Sequence, residues 1–221
     1  MYWRLTDSIT ACIACDRVLF LDIARDRYFA LPDDCNDQFA SWLAGPEDGE
    51  SPSRHREILV GLGILDPFGA TDIRPVACTA PSTEPLDAAP LAPKPIDLRN
   101  LFGVGLVVAS AARDVRSGRF AAVLGRRLAR LRFDAPAAVG EMMSRLAEFR
   151  TVRPFIPVPR VCLHDCLALI EWMGPSRAGA QLVFGVTAYP FAAHCWVQAG
   201  GRILDDHPES ASRFEPILLF P

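Results

Sequence analysis

Cys162-Leu-His-Asp-Cys-Leu-Ala-Leu-Ile-Glu-Trp-Met173 carries the reading of this fold. It follows a turn at Pro157 and Pro159 and reads as an apolar helix with Cys162 at its head. A helix N-terminus presents unpaired backbone N–H groups and the positive end of the macrodipole. Both favour the thiolate, the nucleophilic form of cysteine, and the same N–H groups suit the oxyanion of a tetrahedral intermediate. Cys166 lies one turn deeper on the same face, so it is expected to be more buried and less activated. His164 and Asp165 point to other faces and are expected to be exposed.

A thiolate nucleophile needs a base that also protonates the leaving group. Three strand-like runs follow the helix, at 181–188, 192–199 and 202–205. His194 lies near the start of the second, and Gly200-Gly201 separates it from the third, which runs into Asp205-Asp206. A three-residue loop over 199–201 sets His194 directly opposite Asp206, with Cβ atoms about 4.5–5.5 Å apart. A two-residue Gly200-Gly201 turn shifts the register by one, turns Asp206 to the other face and makes Asp205 the diagonal neighbour. The three-residue reading is preferred because it completes a Cys162–His194–Asp206 set, in which the carboxylate fixes the imidazole tautomer. Trp196, on His194's side of the strand, reads as core, and His207 falls on the opposite face.

Further out, residues 9–15, 17–23 and 28–31 are β-rich and are broken at Asp16 and at 24–27. Val18-Leu-Phe-Leu is continuously apolar, so part of this sheet should be covered on both faces. Asp33 or Asp34 starts a helix to Leu43 with Cys35, Phe39, Trp42 and Leu43 on one side, and Gly45-Pro46 ends it. Ser51 or Ser53 starts another, with Ile58, Leu59 and Leu62 on its apolar face. Strands followed by short helices suggest a winged-helix-like module over residues 1–67. Seven prolines between Pro67 and Pro95 mark 68–96 as a linker or an extended strap. Apolar spacings of three and four then predict helices over 98–116, 119–132 and 135–150. With the later helix and strands they form a second domain over 97–221, which makes the class α+β. Arg126, Arg127, Arg130 and Arg132 read as a solvated face.

Half of the 221 residues are apolar, 22% are charged and the net charge is −3. This suits a globular protein and, despite the winged-helix pattern, argues against nucleic acid as a partner. The apolar run 101–112 is shorter than the roughly 20 residues a membrane span takes. The opening Met1-Tyr-Trp-Arg-Leu-Thr-Asp-Ser lacks a secretory pattern, so the expected compartment is the cytoplasm. Seven cysteines, an odd number in a chain this large, then read as thiols. Cys12 and Cys15 form a Cys-x-x-Cys, but Cys35 or His55 would complete a zinc site only with unusual spacing, and a redox motif should open a helix rather than sit in a strand. The structural reading is preferred for these thiols, for Cys35 and for Cys78. No metal is expected, and there is no Gly-rich phosphate loop for a nucleotide.

A cysteine on a helix, followed by His and Asp on sequential antiparallel strands, is the papain and transglutaminase arrangement. Cys162-Leu-His-Asp-Cys-Leu-Ala-Leu resembles the Cys-Leu-x-x-Ser-Leu-Ala-Leu helix of the lasso-peptide B proteins, which are transglutaminase-like leader peptidases. His194-Cys-Trp-Val-Gln resembles that family's His-Ala-Trp-Val-Glu strand, and Val183-Phe-Gly-Val its preceding strand. Asp206, twelve positions past the histidine, matches the acidic member of an Asn-Asp pair, here Asp205-Asp206. Cys166 stands in place of the usual Ser, Cys195 of Ala and Gln198 of Glu, and no member of the triad is lost. At the front, Asp16-Arg-Val-Leu-Phe-Leu-Asp and Arg27-Tyr-Phe-Ala-Leu resemble the leader-recognition element related to the small peptide chaperone of pyrroloquinoline quinone biosynthesis.

The resemblance implies a fused leader peptidase with Cys162 as nucleophile, His194 as base and Asp206 as its orienter. It implies that the leader of a lasso precursor adds as a strand beside residues 27–31 and lies in a helix groove. Arg27, Tyr28, Phe29, Leu31, Leu59 and Leu62 are the expected contacts. It further implies an asparagine-synthetase-like macrolactam synthetase as partner, which would account for any ATP dependence. An acyltransferase of transglutaminase type and a non-catalytic leader-binding chaperone are the rival readings.

Overall fold

A computed structural model describes residues 4–44, 56–66, 94–117, 122–125, 139–177 and 179–220. Most of the proline-rich stretch lies outside the described residues, as do His55, Cys78 and the arginine cluster at 126–132. The chain forms two compact units. One gathers Met1–Cys78 with Gly185–Ala193 and Phe214–Leu218; the other gathers Thr79–Phe184, His194–Arg213 and Leu219–Pro221. The sequence reading divided the chain into contiguous parts, whereas two later segments here sort with the N-terminal unit.

In the first unit, strands β2 (Ile9–Ala14), β3 (Arg17–Asp22) and β4 (Arg27–Ala30) form an antiparallel sheet in that order, and β1 (Arg4–Leu5) pairs with β5 (Leu65–Asp66). The β2–β3 register closes on Cys15-Asp16, both with positive φ. Asn36, on helix α1 (Asp33–Ala44), holds that turn: its amide donates to Asp16 O at 3.0 Å and its oxygen accepts from Val18 N at 2.8 Å. The alternation of β3 sends Val18 and Phe20 into a core with Ile9, Leu31, Phe39 and Leu59. Phe29 stacks on Phe20 with ring centroids 5.0 Å apart, and Phe39 meets Phe20 edge-on at 5.2 Å. Leu19 and Leu21, on the opposite face of β3, are buried too. Leu59 comes from the short helix α2 (Arg56–Gly61).

The second unit is built on helices α3 (Leu98–Arg116), α4 (Val139–Val152) and α5 (Cys162–Met173). Asp97 caps α3, accepting Asn100 N at 2.6 Å. β6 (Gln181–Ala188), β7 (Phe191–Ala199), β8 (Arg202–Ile203) and β9 (Glu215–Phe220) make a sheet in the order β8-β7-β6-β9, with the one-turn helix α6 (Pro208–Ala211) before β9. α5 runs over the span expected for it. The last strand before the acidic pair is shorter than expected and ends at Ile203 rather than at residue 205.

The α5 helix is packed on several sides, against α3, α4 and the cysteine side of β7. Close packing with α3 requires Gly103, where an added Cβ would come within 2.7 Å of the Trp172 ring. That ring is fixed in turn, since its Nε1 donates to Arg145 O at 3.1 Å and the Arg145 guanidinium lies over it. Burial on so many sides corrects the expectation for His164, which is 6% exposed rather than open to solvent. Asp165 is also largely covered. It receives Arg153, a buried arginine whose Nε lies 2.8 Å from Asp165 Oδ1 and whose Nη2 donates to Val158 O at 3.0 Å and Pro159 O at 3.3 Å. This guanidinium fastens the turn before α5 to the helix's first turn and thereby fixes where Cys162 stands.

Candidate active site

Cys162 opens α5 behind Val161, whose backbone is extended and whose carbonyl accepts Asp165 N at 3.0 Å. The helix therefore begins at the thiol, with the first-turn N–H groups around it. His194 projects from β7, and its Nε2 lies 2.6 Å from Asp206 Oδ2, both side chains being 23% exposed. Asp206 Oδ1 accepts His207 N at 2.7 Å, which fixes the carboxylate's orientation. His194 and Cys195 are the neighbours that act on the proton affinity of the Cys162 thiol, and Cys162 in turn acts on that of the His194 ring. Because Asp206 occupies Nε2, Nδ1 is the ring nitrogen left for the sulfur. Trp196, two residues along β7, is fully buried and stacks near the imidazole with centroids 6.2 Å apart. Its Nε1 donates to the buried Gln198 Oε1 at 2.9 Å, so the wall behind the histidine is itself anchored.

The hairpin arithmetic of the sequence reading was wrong in its route. Ala199 pairs with Arg202 and Gln198 with Ile203, a two-residue turn at Gly200-Gly201. Both glycines have positive φ, 56° and 80°, the requirement of a type I′ turn. A continued strand in that register would carry Asp206 away from His194. Instead β8 stops at Ile203, and the chain bends over residues 204–206 so that Asp206 still reaches the ring. Asp205 makes a different contact: its Oδ1 accepts Val197 N at 2.8 Å and its Oδ2 accepts the Cys166 thiol at 3.0 Å.

Protonation follows from these neighbours. The Cys162 thiol is pushed up to about 12, chiefly by its hydrogen bond with Cys195 and then by burial, while the bond to His194 pulls the other way. His194 is raised to about 9, first by its bond to Cys162 and further by Asp206, against the effect of burial. Cys166 is buried and held well above the ordinary thiol range by desolvation, and its sulfur lies 3.7 Å from that of Cys195. The Cys195 and Cys166 thiols and the Arg153–Asp165 anchor were not given roles in the sequence reading. The departures from the family's Ser and Ala were the available signal for the first two, and nothing local marked the anchor.

The residues expected to bind a leader lie in the first unit. β4 is an edge of its sheet, with Arg27 exposed and Tyr28 and Phe29 partly covered. Leu62 is 60% exposed, whereas Leu31 and Leu59 are core residues at 5% and 2%. These two back the surface rather than line it, because the apolar sides of the sheet and of α2 face each other. A cavity of about 440 Å³ beside β4 is lined by Arg17, Tyr28, Phe29, Asp33, Tyr189 and Phe191. Tyr28 and Phe191 bring their rings to 5.7 Å, and Arg17 joins Asp33 and the Leu31 carbonyl.

Among the described residues no group of His, Cys, Asp and Glu is arranged to hold a metal ion, and no helix is long and apolar enough to cross a membrane. Cys162 at a helix head, the His194 ring and the Asp206 carboxylate on that ring are the groups that a thiol nucleophile would use. The model of the transglutaminase-like superfamily matches residues 105–219, and the chain belongs to that superfamily. It is also 34% identical over 56 residues to the microcin J25-processing protein McjB of Escherichia coli, a stretch covering 25% of this chain and 27% of that protein. The match thus spans about a quarter of that relative's length. Both findings support the resemblance to the lasso-peptide B proteins read in the sequence. No solved structure matches the chain.

Proposed function

We propose that the chain is a leader peptidase of lasso-peptide biosynthesis, a cysteine hydrolase that binds the precursor's leader and cuts the leader–core bond. The reading rests chiefly on one observation, the His194 Nε2–Asp206 Oδ2 contact of 2.6 Å on the ring whose proton affinity Cys162 raises. Superfamily membership and the partial likeness to a microcin-processing protein support it.

In the reaction Cys162 Sγ attacks the carbonyl carbon of the scissile amide after losing its proton to His194. The N–H groups at the head of α5 receive the oxyanion. The imidazolium gives its proton to the departing core amine, which breaks the C–N bond and leaves the leader as a thioester on Cys162. Water, deprotonated by His194, then releases the leader acid and the free thiol. Asp206 holds the ring and balances its charge throughout. The N-terminal unit serves as the winged-helix-like leader-recognition element, taking the leader along the open edge of β4. On this surface Arg27, Tyr28, Phe29 and Leu62 are the contacts, with Leu31 and Leu59 beneath. The macrolactam synthetase consumes the core, and any ATP requirement belongs to it.

Wild-type and Cys162→Ala protein, incubated with precursor, synthetase and ATP and read by mass spectrometry, test the reading. Leader and core fragments are expected from wild type and intact precursor from the variant. Unchanged processing by the variant would leave only a leader-holding chaperone. The superfamily match favours one second reading, in which an amine rather than water resolves the thioester; its sign is a joined product in place of two fragments.

A further inference from the structure

Antiparallel ladders alternate bonded and non-bonded pairs. After Ala199–Arg202 and Gln198–Ile203, the next bonded pair of the β7–β8 hairpin is Val197 with Leu204, and Leu204 N donates to Val197 O at 2.8 Å. The reciprocal bond is replaced. Val197 N donates to Asp205 Oδ1 at 2.8 Å, and Leu204 O accepts from Arg150 Nη2 at 2.7 Å. The second oxygen of Asp205 accepts the Cys166 thiol at 3.0 Å. One carboxylate thus holds the strand that carries His194 and the helix that carries Cys162, at the point where the chain leaves strand geometry.

We propose that Asp205 is a positioning residue of the site: its carboxylate takes the place of the ladder acceptor that the bend withdraws, and so sets the bend that puts Asp206 on His194. The proposal rests on the catalytic set given above, but its primary readout needs no substrate. The groups that face the Asp205 carboxyl are Arg150 from α4, Cys166 from α5, Cys195 from β7 and Asp206 beside it. Desolvation raises the carboxyl to about 6, against the bonds from Cys166 and Val197 that favour its anion. The anionic acceptor is therefore present above that pH and lost below it.

The test is an NMR titration of the His194 ring in the full chain, assigned with His194→Gln. In Asp205→Ala the midpoint should fall below that of wild type, in the same direction as in Asp206→Asn, although Asp206 is still present. Asp205→Asn, whose amide oxygen can accept the Val197 N–H, should restore most of the shift. A folded Asp205→Ala protein that titrates like wild type overturns the proposal. If that variant does not fold, Asp205→Asn decides: it should keep the wild-type His194 midpoint, because its amide oxygen still accepts the Val197 N–H. A displaced midpoint in Asp205→Asn also overturns the proposal. Failure of the peptidase reading is separately visible, as absence of cleavage by wild type.

Discussion

Two neighbours of the Cys162 sulfur act on it in opposite senses, since His194 favours the thiolate and Cys195 the thiol. The Cys195 contact outweighs the other at Cys162, while Cys162 in turn raises His194 to about 9, so the thiol and the ring titrate as a coupled pair. As a catalyst the ring would have to be charged to act as an acid and neutral to act as a base. Alkylation of Cys162 by iodoacetamide, followed by peptide mass mapping, is expected to keep climbing with pH up to and beyond about 9. Cys195→Ala removes the largest upward cause and should move that curve to lower pH, with alkylation several-fold faster near pH 8. Superimposable curves would remove Cys195 from this account. A substrate that displaces Cys195 from the thiol would have the same effect as the substitution.

At the scale of elements, α5 is placed by two local devices that substitution can probe. Gly103 lets α3 approach the Trp172 ring, which is held by Arg145 and cannot swing aside. Gly103→Ala should therefore destabilise the fold by about 1–3 kcal/mol, offset in part by alanine's better helix propensity. At Gly105 an added Cβ meets only Ile156 Cδ1 at 3.5 Å, an ordinary contact, so Gly105→Ala should be neutral or stabilising by up to ~1 kcal/mol. Urea melts of the two variants compare them directly, and equal losses would contradict the packing argument. The second device is Arg153. Its removal leaves Asp165 only the longer contact to Arg160 Nε at 3.7 Å and takes the donor from the carbonyls of residues 158 and 159, so Arg153→Ala is expected to cost about 3 kcal/mol. Cleavage activity should fall further than the folded fraction does, because the head of α5 loses its anchor. Activity that simply tracks folding would make this arginine a general stabiliser.

For the whole molecule, His194 links the site to stability. Its folded-state value of about 9 lies above the ordinary histidine value of 6.5, so the protonated ring stabilises the fold. That contribution is full below about pH 6.5 and is lost as pH rises through about 9. The melting temperature of wild type relative to His194→Gln should decline across this window. Asp205 titrates below it and Cys162 above it, which leaves the interval to the histidine. A difference that stays constant with pH would mean that the ring is not held as described.

The sequence by itself determined the helix from Cys162 to Met173, the strand that carries His194 and the α+β class, because periodicity, turn residues and a helix head are local properties. It also singled out Cys162, His194 and Asp206, through residue types and spacing that resemble a family pattern. It misjudged the exposure of His164, since a helix's own period does not tell how many neighbours will pack around it. It found Asp206 by an incorrect turn, because glycine content allows either loop length and the true register is set by where β8 ends. That ending depends on Asp205 meeting Val197 and Cys166, residues separated from it in sequence by 8 and 39 positions. Such contacts exist only once helix and sheet are packed, so the tertiary structure alone decided how the carboxylate reaches the imidazole.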